Sequence, residues 1–296
     1  MKILLRKVLN RFNRIKNIVF NKLGKKYQYK IGNFWIQLDY THALPNYQSA
    51  HPFYDRFLPH FVSYLPFGKV VIDVGANVGD TLFGMVSNNP NLEYVCIEAD
   101  KGFFEDLKVN YQNLSKEIPK SKIHLINKFI GDTLTDVSLD GENGTKKAII
   151  GGGDIKSESL DDILDRLLNV EDIALIKTDV DGFDYDVLRS AHNSIKHKPY
   201  LFFECLNEGE SQHFEYKKSI AELFSLGYDK FTIFDNFGQY IFTSSSVDEV
   251  TSLLDYIYLQ NTGKGTRTFH YIDILAYSVE RETEVRKILN DYRMSI

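Results

Sequence analysis

Several residue types are scarce in this chain of 296 residues, and each scarcity excludes a class of protein. Two cysteines are too few for a disulfide-framed scaffold, and Cys96 and Cys205 both lie in apolar, strand-like runs, as buried free thiols of a reducing compartment do. Seven prolines stand beside 43% hydrophobic and 25% charged residues, which excludes collagen-like and disordered chains. The composition therefore predicts an ordinary globular protein.

Long apolar stretches and an excess of positive charge are also missing. No stretch approaches the roughly 18 consecutive apolar residues that span a bilayer. Six basic residues interrupt the first twenty positions, so a signal peptide is not expected either. The formal net charge of −5 argues against a general nucleic-acid-binding protein. We therefore expect a cytoplasmic protein that does not bind nucleic acid.

Charge is distributed unevenly along the chain. Residues 1–38 contain ten Lys or Arg and no acidic residue, whereas the other 258 residues contain 25 basic and 40 acidic side chains. Within residues 1–26, apolar residues recur every three or four positions between basic ones, which predicts an amphipathic helix. Such a helix can pack on the body of the protein, pair with a second copy in a homo-oligomer, or lie on an anionic surface at the inner face of a membrane.

The remainder of the chain divides into a lead-in and a larger domain. Residues 27–66 are rich in aromatic side chains and lack a Ser- or Gly-rich linker, so they should pack on the larger domain. Residues 67–296 alternate between helical patterns and short apolar strands such as KVVIDV, EYVCIE, KIHLINKFI, ALIKTDV and YLFFECL. Residues 134–150 indicate a hairpin. This alternation predicts an α/β fold with a doubly wound, mostly parallel sheet of the Rossmann type and an N-terminal helical extension.

Ligands of such a sheet bind beyond the carboxyl ends of its strands, so the residues directly after each strand are informative. After the first strand, Gly75 and Gly79 allow a tight turn and a close approach of the backbone to a ligand. Asp80 at the start of the next helix would repel a pyrophosphate but not a cationic ligand. Glu98 lies after the second strand, 25 residues beyond Asp73, and can accept hydrogen bonds from both hydroxyls of a ribose.

The third and fourth strands also end in acidic residues. Asp132 lies after the third strand, where it can accept a hydrogen bond from the amino group of adenine or simply form a turn. Lys177, Asp179 and Asp181 belong to the densest polar cluster of the chain and would face the same side if the fourth strand continued that far. Glu204 completes the rim. A site this acidic, without a pair of basic residues for phosphates, suits a nucleoside that carries positive charge, such as S-adenosylmethionine.

These motifs, in this order, resemble the FkbM-type S-adenosylmethionine-dependent methyltransferases over roughly residues 40–206. The resemblance is carried by the runs VVIDVGANVGDT, SLDDIL, LIKTDVDGFDYDVLRSA and LFFE, together with Glu98 and Asn110. It implies a class I methyltransferase fold in which the cofactor is held by Asp73, Gly75, Asn77, Gly79 and Glu98. The usual K-I-D-V-E-G-A-E of the family is KTDVDGFD in this chain, so Asp181 and Asp184 keep the charge of the expected glutamates but are shorter by one methylene.

The resemblance also implies an activity, the O-methylation of a hydroxyl group on a sugar of a surface polysaccharide or glycolipid. An alcohol is a poor nucleophile, so the reaction requires a general base or a bound cation such as Mg²⁺. Asp179 and Asp181 are the candidate carboxylates, and Lys177 would orient one of them. His42 and His51 of the lead-in are further candidates for the base. No metal ligands are assigned.

Two other functions remain open from the sequence. A non-catalytic nucleotide-binding or scaffold protein of the same fold is supported only by the altered carboxylates at positions 181 and 184. An NAD-dependent oxidoreductase is opposed by the acidic loop after the first strand and by the absence of a G-x-G-x-x-G motif. Methyl transfer to any acceptor would distinguish the enzyme from the scaffold.

Overall fold

The computed structural model describes residues 16, 19–21, 23–118, 122–132, 136–141, 147–150, 153 and 155–295. Most of the predicted N-terminal helix and the turn of the predicted hairpin lie outside the described residues. No helix in these ranges is both long and apolar enough to cross a membrane.

Fourteen strands and ten helices are formed by the described residues, beside two short 3₁₀ turns at Val170–Asp172 and Val279–Arg281. The strands are β1 (Lys26–Ile31), β2 (Phe34–Asp39), β3 (Val70–Val74), β4 (Glu93–Ile97), β5 (Lys122–Ile126), β6 (Phe129–Ile130), β7 (Asp136–Asp140), β8 (Lys147–Ile150), β9 (Ile155–Glu158), β10 (Ile173–Thr178), β11 (Tyr200–Cys205), β12 (Lys230–Asp235), β13 (Tyr240–Ser244) and β14 (Ile272–Tyr277). The helices are α1 (Leu44–Ala50), α2 (Phe57–Val62), α3 (Asp80–Asn88), α4 (Lys101–Glu117), α5 (Leu160–Leu167), α6 (Asp184–Ser190), α7 (His192–Lys196), α8 (Glu210–Ser225), α9 (Val247–Asn261) and α10 (Glu282–Met294).

The central sheet has eight strands in the order β13-β12-β14-β11-β10-β3-β4-β5. The five strands from β11 to β5 are parallel, and β14 lies antiparallel between β11 and β12. The chain passes from β3 to β4 on one side and from β10 to β11 on the other, so the switch point of the sheet lies between β3 and β10. The predicted doubly wound, mostly parallel α/β class is confirmed.

Hydrophobic cores cover both faces of this sheet. Successive residues of β3 alternate between them, because Val71 packs on one face while Val70 and Ile72 pack on the other. A strand that is buried on both faces is nearly continuous in apolar residues, which is why the sequence reveals it. Asp73 is the exception, a fully buried carboxylate on the same face as Val71.

The lead-in packs on that same face of the sheet. Strand β2 contributes Ile36 and Leu38 to the core, helix α2 contributes Phe61, and each of these side chains is fully buried. The ring centroid of Phe57 lies 4.3 Å from that of Phe234 on β12. The segment from His42 onward is thereby held over the carboxyl ends of β11 and β12 and the amino end of β14.

Asn110 ties the lead-in to the turn after β3. Its side-chain amide donates to the backbone oxygen of Val78 at 2.9 Å, and its side-chain oxygen accepts the backbone N–H of Gln37 at 2.8 Å. The residue is fully buried on α4. An asparagine is required there because it donates and accepts at once, and it fixes the lead-in relative to the turn.

Some boundaries differ from those predicted. The predicted strand at 122–130 is divided into β5 and β6, because the Asn127 side chain donates to the backbone oxygens of Glu98 and Ala99 and turns the chain. The hairpin is confirmed in its strands, with β7 and β8 antiparallel. Strands β1, β9 and β13 and helix α9 were not predicted from the sequence.

Candidate active site

Two adjoining cavities open at the carboxyl edge of the parallel strands. The larger has a volume of about 690 Å³ and lies between the lead-in and the ends of β3, β10, β11, β12 and β14. The smaller, of about 70 Å³, lies between the ends of β3, β4, β6 and β10. Both are lined by Gly75, Asn77, Asp179 and Asp181. The two cavities therefore meet at the switch point, where sheets of this type bind ligands.

The turn after β3 is shaped by close backbone contacts. Gly75 has a φ of +77°, and a Cβ atom at this position would lie 1.9 Å from the backbone oxygen of Asp179. Only glycine fits, because the turn after β3 touches the turn after β10 directly. Asn77 also has a positive φ, of +49°, and its backbone N–H donates to Glu98. The turns after β3, β4 and β10 thus form one connected wall.

Glu98 is held rigidly at the small cavity. Its carboxylate accepts the backbone N–H groups of Asn77 at 2.8 Å and Asp100 at 2.7 Å. Burial raises the pKa of this carboxyl group, and the two backbone N–H groups act in the opposite direction. Each carboxylate oxygen keeps a further lone pair, and the neighbouring walls of the cavity are the apolar side chains of Phe103 and Ile130. These features fit a ribose beside a flat apolar base.

Asp73 lies elsewhere than predicted. It is fully buried and lines neither cavity, and its Oδ1 atom is 2.8 Å from Nζ of Lys177. Lys177 is itself buried and donates to the backbone oxygen of Gly75 at 2.9 Å. Asp73 therefore positions Lys177, and Lys177 supports the turn after β3. The Asp73 carboxylate is not placed to contact a cofactor directly.

Gly79 and Asp132 also differ from the prediction, since neither lines a described cavity. A Cβ atom on Gly79 would lie 2.8 Å from the side chain of Leu107, so the glycine allows α3 and α4 to pack. Asp132 is exposed, and its backbone N–H donates to the side chain of Asp186 at 3.1 Å. A contact between Asp132 and adenine gains no support from this placement.

The large cavity is strongly acidic. Six carboxylates line it, and they are Asp55, Asp80, Asp179, Asp181, Glu204 and Asp273. Two cationic side chains, Lys177 and Arg267, line the same cavity. Asp55 and Asp273 were not predicted as site residues, because neither directly follows a parallel strand. Asp55 lies in the lead-in, and Asp273 lies at the start of the antiparallel strand β14.

Asp179 lies where the two cavities meet. About half of its side chain (53%) is exposed to the cavities, and its Oδ2 atom is 3.9 Å from Nζ of Lys177. Its position between the two cavities leaves Asp179 only partly hydrated, which raises its pKa against the opposing effect of Lys177, and Asp80 and Asp73 raise this pKa further. A carboxylate with a raised pKa is a better proton acceptor near neutral pH. Asp179 is therefore suited to act as a general base.

Asp181 and Asp184 lie on opposite sides of the turn after β10. This strand ends at Thr178, so alternation does not extend to Asp181, which adopts a φ of +52° and still lines both cavities. Asp184 is fully buried below the cavities, where it accepts hydrogen bonds from the hydroxyls of Thr178 at 2.9 Å and Tyr216 at 3.3 Å. Asp184 therefore anchors α6 and has no access to a substrate.

The two candidate histidines are not arranged as bases. The Nδ1 atom of His42 accepts the backbone N–H of Leu44 at 3.3 Å, so the neutral ring carries its proton on Nε2. That Nε2 atom is buried at the large cavity and has no hydrogen-bond partner among the described residues. His42 is thus a donor. The ring of His51 stacks on Phe237 with centroids 3.8 Å apart.

A magnesium site is not supported. In the described part of the chain, no group of three or more His, Cys, Asp or Glu side chains is arranged to hold a metal ion. The carboxylates of the large cavity are distributed around its walls, and we assign no step to a metal.

Burial of Asp184 predicts how stability depends on pH. Burial and the charge of Asp179 raise the pKa of Asp184 to about 7, from an ordinary value of 3.8. A carboxyl whose pKa is raised by folding destabilises the protein as pH rises from the unfolded-state value to the folded-state value. The free energy of unfolding should therefore fall between about pH 4 and pH 7, by about 1.4 kcal/mol per pH unit from this group.

Urea unfolding of the Asp184→Asn variant measures this contribution. The variant should lose the part of the pH dependence that comes from Asp184, whereas Asp172→Asn, at an exposed side chain, should retain it. Equal pH dependence of all three proteins would show that Asp184 ionises normally.

Comparison with known proteins bears on the same region. The family model described as "Methyltransferase FkbM domain" matches residues 73–255. Similar solved structures include methyltransferase FkbM from Methylobacillus flagellatus KT, with 15% identity, a TM-score of 0.42 and coverage of 78% of this chain and 50% of that one. The chain thus spans half the length of that protein. No curated protein sequence matches the chain.

Two further structures show similar levels of likeness. Precorrin-6y C5,15-methyltransferase from Geobacter metallireducens GS-15 has 12% identity and a TM-score of 0.41, over 75% of this chain and 87% of that one. M. jannaschii TYW2, solved in complex with AdoMet, has 8% identity and a TM-score of 0.43, over 86% of each chain.

Proposed function

The chain belongs to the FkbM family of methyltransferases, and from that premise we propose that it transfers a methyl group from S-adenosylmethionine to a hydroxyl of a sugar in a surface polysaccharide or glycolipid. The observation that carries this proposal is the pair of adjoining cavities at the switch point. The small cavity has a fixed carboxylate and apolar walls, and the large cavity has room for a second molecule.

The small cavity is the proposed place of the adenosine. Glu98 would accept hydrogen bonds from the ribose hydroxyls, and Phe103 and Ile130 would contact the base. When bound, S-adenosylmethionine would supply an activated methyl group on a positively charged sulfur. The acidic side chains beside the switch point suit such a charge, whereas they would repel the phosphates of a dinucleotide.

The large cavity is the proposed place of the acceptor. Its walls include the aromatic side chains Tyr47, Tyr54, Phe237 and Tyr271, whose faces can stack on a sugar ring. Asp179, which lines both cavities, would accept the proton of the reacting hydroxyl and release it to solvent. Asp80 and Asp181 contribute negative charge to the same cavity.

The Glu98→Gln variant tests the cofactor site. An amide has one accepting oxygen and presents N–H donors to a backbone N–H group, so S-adenosylhomocysteine affinity should fall by about 10–100-fold. Glu93→Gln is the matched control, because Glu93 begins the same strand at the opposite edge of the sheet, beside Lys122 and His124. Calorimetric titration would measure both, with NAD as a ligand that should not bind.

Methyl transfer tests the activity itself. Labelled S-adenosylmethionine should label sugar-containing acceptors in the presence of the wild-type protein and much less with Glu98→Gln. Binding of the cofactor without transfer to any glycan or glycolipid would favour the scaffold function.

The basic segment at residues 1–26 supports a second, separate proposal drawn from the sequence alone. Its alternation of apolar and basic residues suits an anionic membrane surface, where each basic side chain contributes about 1 kcal/mol. Deleting these residues should reduce co-sedimentation with phosphatidylserine vesicles and leave binding to phosphatidylcholine vesicles unchanged. Equal sedimentation of both proteins would contradict membrane contact.

A further inference from the structure

Accepting the proposed function, we infer that the acceptor carries a cationic amino group, as an amino sugar does, and that Glu204 and Asp273 bind this group in the large cavity. The inference names the chemical class of the substrate. It depends on methyl transfer taking place at this site.

The first observation is an uncompensated pair of acids in the sheet. Glu204 on β11 and Asp273 on β14 are direct partners in the antiparallel register. Side chains of such partners lie side by side, and like charges in this position destabilise a sheet. No cationic side chain in the described part of the protein forms an ion pair with either carboxylate, although one such cation would remove the repulsion.

A second pair in the same sheet shows the contrast. Asp73 on β3 and Lys177 on β10 are also register partners, and their charged atoms are 2.8 Å apart. The protein therefore supplies a counter-charge within the sheet for Asp73. It supplies none for the pair on β11 and β14, which faces the cavity.

The second observation is the state of the Glu204 side chain. It is 94% buried, since only 6% of its surface is exposed, and it lines the large cavity. Its Oε1 atom is buried without a hydrogen-bond partner among the described residues. An unpaired buried carboxylate is costly unless a ligand pairs with it. A cation in the cavity satisfies this requirement.

Burial and neighbouring acidic side chains raise the pKa values of Glu204 and Asp273. Burial raises the pKa of Glu204 well above its usual value, and Asp179, Asp184, Asp273 and Asp181 raise it further. Burial also raises the pKa of Asp273, as do its acidic neighbours, and Lys177 acts in the opposite direction. A cation bound between the two side chains would lower both pKa values, so its binding should release protons.

The remaining basic groups of the cavity do not neutralise the pair. Arg267 is exposed at the cavity rim, and Nε2 of His270 is 2.8 Å from Glu208. The Nδ1 atom of His42 accepts the backbone N–H of Leu44, and its Nε2 atom has no hydrogen-bond partner among the described residues, so His42 forms no ion pair with Glu204 or Asp273. Tyr54 and Tyr271 also line the cavity, and burial raises the pKa of both.

The cofactor is a poor match for this pair. Neighbouring strands are about 4.8 Å apart, so β11 lies roughly 14 Å across the sheet from β4, which presents Glu98. The sulfur of S-adenosylmethionine is attached to the ribose that Glu98 would hold. With the ribose at Glu98, this positive charge would lie nearer to the switch point than to Glu204.

Binding of D-glucosamine in the presence of saturating S-adenosylhomocysteine tests the inference, with D-glucose and N-acetyl-D-glucosamine as neutral controls. The wild-type protein should bind glucosamine at least tenfold more tightly than either control at pH 6.5. Glu204→Gln should lose most of this preference, whereas Glu222→Gln, on the exposed face of α8, should keep it. Calorimetry in two buffers should show proton release on glucosamine binding that Glu204→Gln lacks.

The outcomes separate this inference from the proposed function. Equal or absent binding of the three sugars would overturn the inference. A loss of S-adenosylhomocysteine affinity in Glu204→Gln would also overturn it, because the pair would then bind the amino group of the cofactor. Glu204→Gln should fold, because it removes a repulsion, and Asp273→Asn gives a second test. Failure of the proposed function would appear instead as absent cofactor binding or absent methyl transfer in the wild-type protein.

Discussion

The Asp179→Asn variant is expected to lose about 10²–10⁴-fold in kcat while its affinity for S-adenosylhomocysteine stays within about threefold of the wild-type value. Asparagine keeps the size of the side chain and removes the proton acceptor. The turn after β10 should be retained, because its contact with Gly75 is made by the backbone oxygen of residue 179.

The pH dependence of the reaction provides the specific signature of a base. Only the ionised form of Asp179 accepts a proton, and its pKa is raised by burial and by nearby carboxylates. Wild-type kcat/KM should therefore increase as pH rises through that raised value and then level off. The residual activity of Asp179→Asn should lack this rise.

A purely electrostatic role for Asp179 predicts a different result. Its negative charge stabilises the positive sulfur of the bound cofactor, and that charge disperses as the methyl group departs. Such an interaction favours the ground state and does not raise kcat. The Asp179→Asn variant would then bind S-adenosylmethionine more weakly, bind S-adenosylhomocysteine equally well, and have a kcat equal to or above that of the wild type.

Asp172→Asn is the matched control, because Asp172 immediately precedes β10 at the opposite edge of the sheet and is similarly exposed. It should leave kcat unchanged. An unchanged kcat in Asp179→Asn would contradict the role of Asp179 as the base.

The parts of the fold that the sequence predicts are those with strong local signals. The parallel strands are apolar on both faces, and the Gly-containing turn after β3 is apparent from its composition. Helix α9 is not among the predicted helices, although its sequence contains an N-cap. Ser246 caps its first turn by accepting the backbone N–H of Glu249. Strand β13 is a short edge strand, and its pairing with β12 depends on a turn rather than on its own pattern.

The site was harder to predict, because its key pairs are made between distant segments. Lys177 and Asp73 become neighbours only once the register of β10 against β3 is known. From the sequence alone, Asp73 is simply an acid beside a glycine turn, and its ion pair under that turn is invisible. Asp273 similarly meets Glu204 only because β14 inserts antiparallel between β11 and β12.

The buried pair of Lys177 and Asp73 should dominate the stability of this region. Burial alone would lower the pKa of Lys177, but Asp73 and Asp179 outweigh it and raise that pKa above its usual value, so the lysine stays charged. Lys177→Met would leave the fully buried Asp73 without its counter-charge. Breaking a buried pair in this way costs about 3–5 kcal/mol of unfolding free energy.

The double variant Asp73→Leu/Lys177→Met distinguishes the effect of this ion pair on the free energy of unfolding from the effect of Lys177 on the turn after β3. Replacing both charges by apolar groups should recover most of the lost unfolding free energy. It should not recover affinity for S-adenosylhomocysteine, because the backbone oxygen of Gly75 still lacks the hydrogen bond from Lys177. Urea unfolding at pH 7 and calorimetric titration measure the two properties independently.

A surface pair on the same two strands gives the control. Lys69 precedes β3 and Asp172 precedes β10, and their charged atoms are 3.4 Å apart with 36% and 52% of the side chains exposed. Because solvent screens this pair, Lys69→Met should cost less than about 1 kcal/mol. Equal costs for Lys69→Met and Lys177→Met would show that Asp73 does not need its partner. A double variant that regains both stability and cofactor affinity would remove Lys177 from the support of the turn.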